Sequence, residues 1–227
     1  MKIKDKKIII FGDSAFAEIA YEYFTHDSPY EVVAFTISAN YKSKETLFGL
    51  PIVSFEEIEQ HYPPSAFDMH IALVYNTLNR IRRKFYIEAK QKGYTLANYI
   101  SSRAFVWHNV AMGDNCFIFE DNTVQPFVKL GNNNVLWSGN HIGHHSVIGS
   151  HNFISSHVVV SGFCNIGDCN FMGVNATMGN NLKIGSDCLI GSFAHIVKNI
   201  PDGSLLKGTP SKPDEQSTYE KFNIAPI

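Results

Sequence analysis

The sequence has no apolar run approaching the roughly 18 residues that a membrane-spanning helix needs, so no span is expected. It has no surplus of charge of either sign: 19 Lys and Arg stand against 21 Asp and Glu, a net charge of -2. Such a balance lacks the basic face of a nucleic-acid-binding protein, which removes nucleic acid from the expected partners. Cysteine is scarce. The four, Cys116, Cys164, Cys169 and Cys188, read as free thiols of a cytoplasmic chain, not as a disulfide framework. The first seven residues are basic and lead into an apolar run, Ile8 to Phe11. That run is too short for a secretory leader and is ended by Gly12 and Asp13, so a first strand is expected there.

What is present falls into two halves with different patterns. Residues 6 to about 100 alternate strand and helix signals. Strands are expected at Lys6 to Phe11, Tyr30 to Ile37, around Gly49 to Val53, and at Met69 to Tyr75. Helices are expected at Ala15 to Phe24, at Ser54 to Gln60 with Ser54 and Glu57 as a capping box, and at Asn79 to Lys92, closed by Gly93. Alternating strands and helices imply a small parallel sheet with helices on its faces. Gly12-Asp13-Ser14-Ala15-Phe16-Ala17 occupies the first strand-to-helix turn, a degraded form of the Gly-x-Gly-x-x-Gly cradle for phosphate. Val74 and Tyr75 close a later strand and can wall the same crevice. Arg80, Arg82, Arg83 and Lys84 form a basic helix face, suited either to solvent or to steering a diphosphate.

The second half has a period of six. From Val106 to Ile196 every sixth residue is aliphatic or Met, sixteen positions without an insertion. Gly follows at 113, 131, 143, 149, 167, 173, 179, 185 and 191, where it is expected to turn the backbone between flat faces. Two residues before most of the aliphatics stands a small or amide-bearing side chain, such as Cys116, Asn134, Ser146 or Cys164, which is also expected to point inward. This is the pattern of a parallel β-helix. Three hexads make one triangular coil, and the coils stack through strand pairing.

The Ile-Gly-x-x-x-x hexads resemble those of the left-handed β-helix acyltransferases. The whole layout, with the closing Pro201-Asp202-Gly203-Ser204 and Gly208-Thr209-Pro210, is similar to one group of them: the sialic-acid O-acetyltransferases and bacillosamine N-acetyltransferases. The resemblance implies a Rossmann-like nucleotide-sugar domain over 1–100, a left-handed β-helix that takes acetyl-CoA over 101–213, and a tail over 214–227. It further implies a homotrimer with sites between subunits. His144, in His144-His145-Ser146-Val147-Ile148-Gly149, takes the family's general-base position. His145 stands where the family has an acidic residue, so another group is expected to orient His144. Phe153 replaces a second His that approaches the thioester. Gly173 and Val174, and Gly191 and Ser192 one coil on, match cofactor-groove positions whose N–H groups are expected to serve the pantetheine arm. Gly12, Ser14, Ala15 and Phe16 match the sugar-nucleotide turn. Thr36 lies where the family's second strand ends in acidic residues, in Phe35-Thr36-Ile37-Ser38, which has no carboxylate.

Histidine suits proton transfer near neutral pH, as attack of an amine or hydroxyl on a thioester requires. The expected activity is N-acetylation of a nucleotide-linked amino sugar without an acyl-enzyme. O-acetylation of a sugar hydroxyl and a non-catalytic sugar-nucleotide-binding protein are the alternatives. A metal centre is not expected: His145, His151 and His157 follow at steps of six and so lie on different sides of one coil, and the ligand set of the β-helical carbonic anhydrases is incomplete, with Gly149 at its third position.

Overall fold

A computed structural model of the chain describes residues 4–208, 210 and 215–226. The first three residues of the basic start, Thr209 of the closing run and the 213/214 boundary lie outside the described residues. The amino-terminal part holds β1 (Lys6–Phe11), α1 (Ala15–Asp27), β2 (Tyr30–Ile37), β3 (Thr46–Leu47), β4 (Leu50–Ser54), α2 (Ile58–His61), β5 (Asp68–Ile71) and α3 (Arg80–Gln91). The sheet order is β3-β4-β2-β1-β5, parallel except for the β3–β4 hairpin. Its central strands are apolar on both sides, as a sheet covered on two faces demands: Ile8, Ile9 and Ile10 are all fully buried.

Two local expectations are corrected. Ser54 does not cap a helix. It ends β4, and its hydroxyl donates to Glu56 Oε2 at 2.6 Å, so the next helix starts only at Ile58. The strand expected at Met69 to Tyr75 stops at Ile71, and 72–79 become a connecting strap in which Thr77, Leu78 and Asn79 all have positive φ.

From Tyr99 onward the chain winds as a three-sided prism. The first face carries seven two-residue strands, from Tyr99–Ile100 to Leu205–Leu206. The second carries six, from Phe105–Val106 to His195–Ile196. The third carries five, from Ala111–Met112 to Lys183–Ile184. Partners lie one coil apart in exact register, as in Thr123 against His141 and His141 against Val159. The aliphatic ladder forms one continuous core, in which Ile118, Leu136, Ile142 and Ile154 are fully buried. Each such side chain removed from water contributes about 1.5–3 kcal/mol. Buried Asn residues form a second ladder: Asn134 Oδ1 accepts from the N–H of Asn152, and Asn152 Oδ1 from that of Asn170, both at 2.8 Å. The amide groups of Asn134 and Asn170 donate in turn to the carbonyls of Gly149 and Gly185, at 2.8 and 2.9 Å.

The corners correct the glycine expectation. The residue in left-handed backbone is not the Gly after each aliphatic but the residue three before the next one. It recurs from Asn115 (φ 53) through His145 (φ 61) and His151 (φ 64) to Phe193 (φ 61). The ladder glycines answer a different need, the closeness of the next coil. A Cβ on Gly131 would lie 2.7 Å from the carbonyl oxygen of Gly149.

The first face is apolar on its outer side as well. Tyr99, Phe117, Val135 and Phe153 are buried against Phe16, Ala20 and Phe24 of α1, fusing the two parts through one core. A second pin is polar. Arg82 of α3 is fully buried and has no carboxylate partner. Its guanidinium donates to the carbonyls of Asn133, His151 (3.1 Å) and Asn152 (3.0 Å) and to Asn79 Oδ1 (2.9 Å). Asn79 Nδ2 in turn donates to Asn170 O at 3.0 Å. The basic helix face is thus not simply solvated: Arg82 is a rivet, and Arg80 pairs with Asp187 at 2.6 Å.

Candidate active site

The edges between the prism faces carry the candidate residues. Edge I joins the first face to the second and includes 155–158, 173–176 and 191–194. Edge II joins the second to the third and includes 125–128, 143–146 and 161–164. Edge III returns to the first face and includes 149–152.

Ligands of open parallel sheets bind beyond the carboxyl ends of the strands. There, a crevice of about 460 Å³ is lined by residues that include Asp13, Ser14, Ile37, Tyr41, Leu73 and Lys84. Gly12 shapes its floor. Its φ is +131, and a Cβ would lie 2.9 Å from the carbonyl oxygen of Ala72, so no other residue fits. Ser14 is the N-cap residue of α1, yet its side chain makes no capping hydrogen bond, and Ala15 beside it is exposed. The first-turn N–H groups of α1 are therefore not claimed by a side-chain cap, the condition under which a helix start receives an anion. Phe16 and Thr36 differ from the expectation. Phe16 packs among Phe117, Phe119 and Trp137, and Thr36 Oγ1 donates to Val53 O at 2.9 Å. Both side chains are buried, which leaves only their backbone groups for a ligand.

Val74 and Tyr75 wall a different hollow. With Trp137, Phe153, Ser155, Ser156 and Val174 they enclose about 240 Å³ between the strap after β5 and edge I. Phe153 stands on the first face with its ring centroid 5.0 Å from that of Tyr75. Trp137 was not among the expected site residues, although it occupies a slot held by Gly in most hexads, a departure visible in the sequence.

Gly173 and Gly191 stack on edge I, but their N–H groups are already spent. They donate to Ile190 O and Leu206 O, each at 2.7 Å. A Cβ on either would lie 2.5 Å from a backbone nitrogen of the coil above, at Ser192 and Gly208 respectively. These glycines are corner residues required by stacking, and the expectation that their N–H groups serve a ligand does not hold.

His144 and His145 lie exposed on edge II, one prism face away from edge I. The structure therefore does not bring His144 together with Phe153 or Val174 within one copy of the chain. His144 Nδ1 lies 3.1 Å from His145 Nδ1, so one ring donates its N–H to the other. The group holding His144 is thus its own neighbour. The backbone N–H of His144 donates to Gln125 Oε1 at 2.9 Å, and the ring meets Phe163 edge-on at a centroid separation of 5.0 Å. His145 stacks between Phe127 (4.6 Å) and Phe163 (4.8 Å). Gly162 makes room for the catalytic candidate: a Cβ there would come within 2.9 Å of His144 Cε1 and 3.0 Å of Nε2. In the tautomer in which His144 Nδ1 donates to His145, His144 Nε2 carries a free lone pair and can accept a proton.

The remaining histidines do other work. His70 is fully buried with Nδ1 2.9 Å from Ala97 O, and burial pushes its pKa down to about 4. His151 on edge III contacts Asn133 Nδ2 at 2.8 Å; burial first, then the nearby Arg82, lowers it to about 4. Among the described residues no three His, Cys, Asp or Glu side chains are grouped to hold a metal ion.

The fold, an α/β domain on a left-handed β-helix, is that of solved hexapeptide-repeat sugar N-acetyltransferases. Particular structures are similar over nearly their whole length. The acetyltransferase domain of PglB from Neisseria gonorrhoeae FA1090 superposes with a TM-score of 0.80 at 23% identity, covering 92% of this chain and 100% of that one. It is also solved in complex with acetyl coenzyme A. Perosamine N-acetyltransferase from Caulobacter crescentus, in complex with CoA and GDP-perosamine, gives 0.79 at 20% identity over 95% and 100%. WeeI from Acinetobacter baumannii AYE gives 0.64 at 18% over 91% and 99%. No protein-family profile and no curated protein matches the sequence.

Proposed function

We propose that this chain is an acyl-CoA-dependent N-acyltransferase, with acetyl-CoA as the expected donor and a nucleotide-linked amino sugar as acceptor. The observation that carries the reading is the exposed His144, held at Nδ1 by His145, on the same prism whose next edge adjoins the Tyr75–Phe153–Val174 hollow. The solved relatives that bind acetyl coenzyme A, and CoA with GDP-perosamine, support it.

In this reading residues 1–100 hold the nucleotide sugar in the crevice beyond β1, β2 and β5. Ser14, Ala15 and the backbone at Phe16 and Thr36 lie nearest the phosphates. Residues 101–213 receive the donor along edge I, at Phe153, Val174 and Ser192. His144 comes from edge II of another copy in a trimer, because within one copy a whole face separates the two. The amine attacks the thioester carbonyl, and His144 Nε2 accepts the proton that the nitrogen sheds. The C–S bond breaks and CoA leaves as thiolate, which is then protonated. No acyl-enzyme is needed, and all four cysteines are buried. An imidazole partner supports the base less strongly than a carboxylate would, which favours an amine over a hydroxyl as nucleophile.

The test is CoA release from acetyl-CoA over a panel of nucleotide-linked amino sugars. Transfer by the native chain and its loss in a folded His144→Ala variant is the expected result. Full turnover in that variant rejects the base assignment. Binding of acetyl-CoA with no turnover over the panel favours a non-catalytic sugar-nucleotide-binding protein.

A further inference from the structure

The hollow between the strap and edge I has a composition that a two-carbon acyl group does not explain. Its walls are Val74, Tyr75, Trp137, Phe153 and Val174 with Ser155 and Ser156, so its side chains offer only neutral polar groups, three hydroxyls and one indole N–H. No charged residue lines it. The aromatic walls are mutually braced. Phe171 stacks on Phe153 at 5.9 Å and meets Tyr75 at 4.5 Å, while Trp137 lies 5.9 Å from Phe153. Phe153 is 4% exposed and so forms a fixed wall, not a movable flap. The space amounts to about 240 Å³. A non-hydrogen atom of a ligand displaces about one water's share of volume, roughly 30 Å³, so an acetyl group fills less than half of it.

We infer that this hollow is an acyl pocket and that it selects linear aliphatic acyl groups longer than acetyl, with room for a butyryl group. The inference rests on the reading given above, in which the thioester end of the donor lies beside Phe153 and Val174, and deepens it by naming the donor class. Each added methylene leaves water for an apolar wall, which strengthens binding until the pocket is full. An acyl chain of the same length ending in a carboxylate is disfavoured, because no cation in the hollow compensates the buried charge.

The experiment is calorimetric titration of the full chain with CoA, acetyl-CoA, butyryl-CoA and succinyl-CoA. Butyryl-CoA is expected to bind about tenfold tighter than acetyl-CoA, from two methylenes at the usual transfer value. Succinyl-CoA is expected to bind no tighter than acetyl-CoA. Val174→Phe places a ring in the hollow from an exposed corner position, 39% accessible, where it does not disturb the core. That variant is expected to bring butyryl-CoA and acetyl-CoA to equal affinity. Binding of CoA with acetyl-CoA equal to or tighter than butyryl-CoA overturns the pocket assignment alone. A butyryl preference that survives in Val174→Phe does the same, since the chain must then lie elsewhere. Failure of every CoA species to bind removes the donor reading and the pocket assignment together.

Discussion

At the scale of single residues, the site depends on neighbours that make room as much as on groups that react. Gly162 has no chemistry of its own, yet any side chain there meets the ring of His144. Gly162→Ala is expected to cut turnover by roughly tenfold or more while leaving donor affinity near the native value, because a shift of well under 1 Å misplaces the base; steady-state kinetics beside calorimetry separate the two. The pairing of His144 with His145 was not legible in the sequence, because adjacent residues on a strand point apart and only the left-handed corner at 145 lets the two rings meet. Two other histidines control acid stability. His70 and His151 are held neutral in the fold, while an unfolded chain protonates them below about 6.5. Protons therefore favour unfolding, and the stability these residues contribute is intact above about 6.5 and lost as pH falls towards about 4. For His70 the loss is about 3 kcal/mol. Urea midpoints measured across that range should fall with pH, and His70→Asn should flatten the slope.

At the scale of elements, the ladder was readable because period six admits one regular structure and because sixteen hexads run without a slip. The role of glycine was not readable in the same way, since a Gly can serve either a left-handed backbone or a close approach. The discriminating signal lay three positions before each aliphatic. Between 115 and 193, ten of fourteen such residues are Asn, Asp, His or Gly, the types that tolerate positive φ. Two glycines test the distinction. Gly131→Ala drives a Cβ into the backbone of the next coil and is expected to cost about 1–3 kcal/mol. Gly179 has no atom closer than 3.9 Å to such a Cβ, so Gly179→Ala is expected to be neutral or to stabilise by up to about 1 kcal/mol. Thermal unfolding of the two variants side by side reads the difference. The α3 rivet escaped the sequence because a run of Arg and Lys carries no mark of which one docks. Arg82→Met orphans the carbonyls of Asn133 and His151 and is expected to lower stability by about 3–5 kcal/mol, measured by denaturant unfolding.

At the scale of the whole molecule, the two halves of the site sit on adjacent edges of the prism and face apart within one copy. Edge II also exposes two large rings, Phe127 at 55% and Phe163 at 54%, flanking His145. Exposed aromatic side chains in a column are suited to burial against another copy. If the proposed trimer forms through this edge, Phe163→Asp is expected to leave monomers in light scattering and to abolish transfer.

The unbroken run of hexads has a further consequence. A coil with no extra residue has no loop to spare, so the winding part of the chain offers nothing that can swing across a bound ligand as a flap. Water has to be kept from the thioester by rigid walls, by the strap that ends at Asn79, or by the flank of a second molecule. Turnover would then be gated by entry and exit of long, flexible substrates along a fixed channel, and shortening the strap should affect it more than any change within the coils.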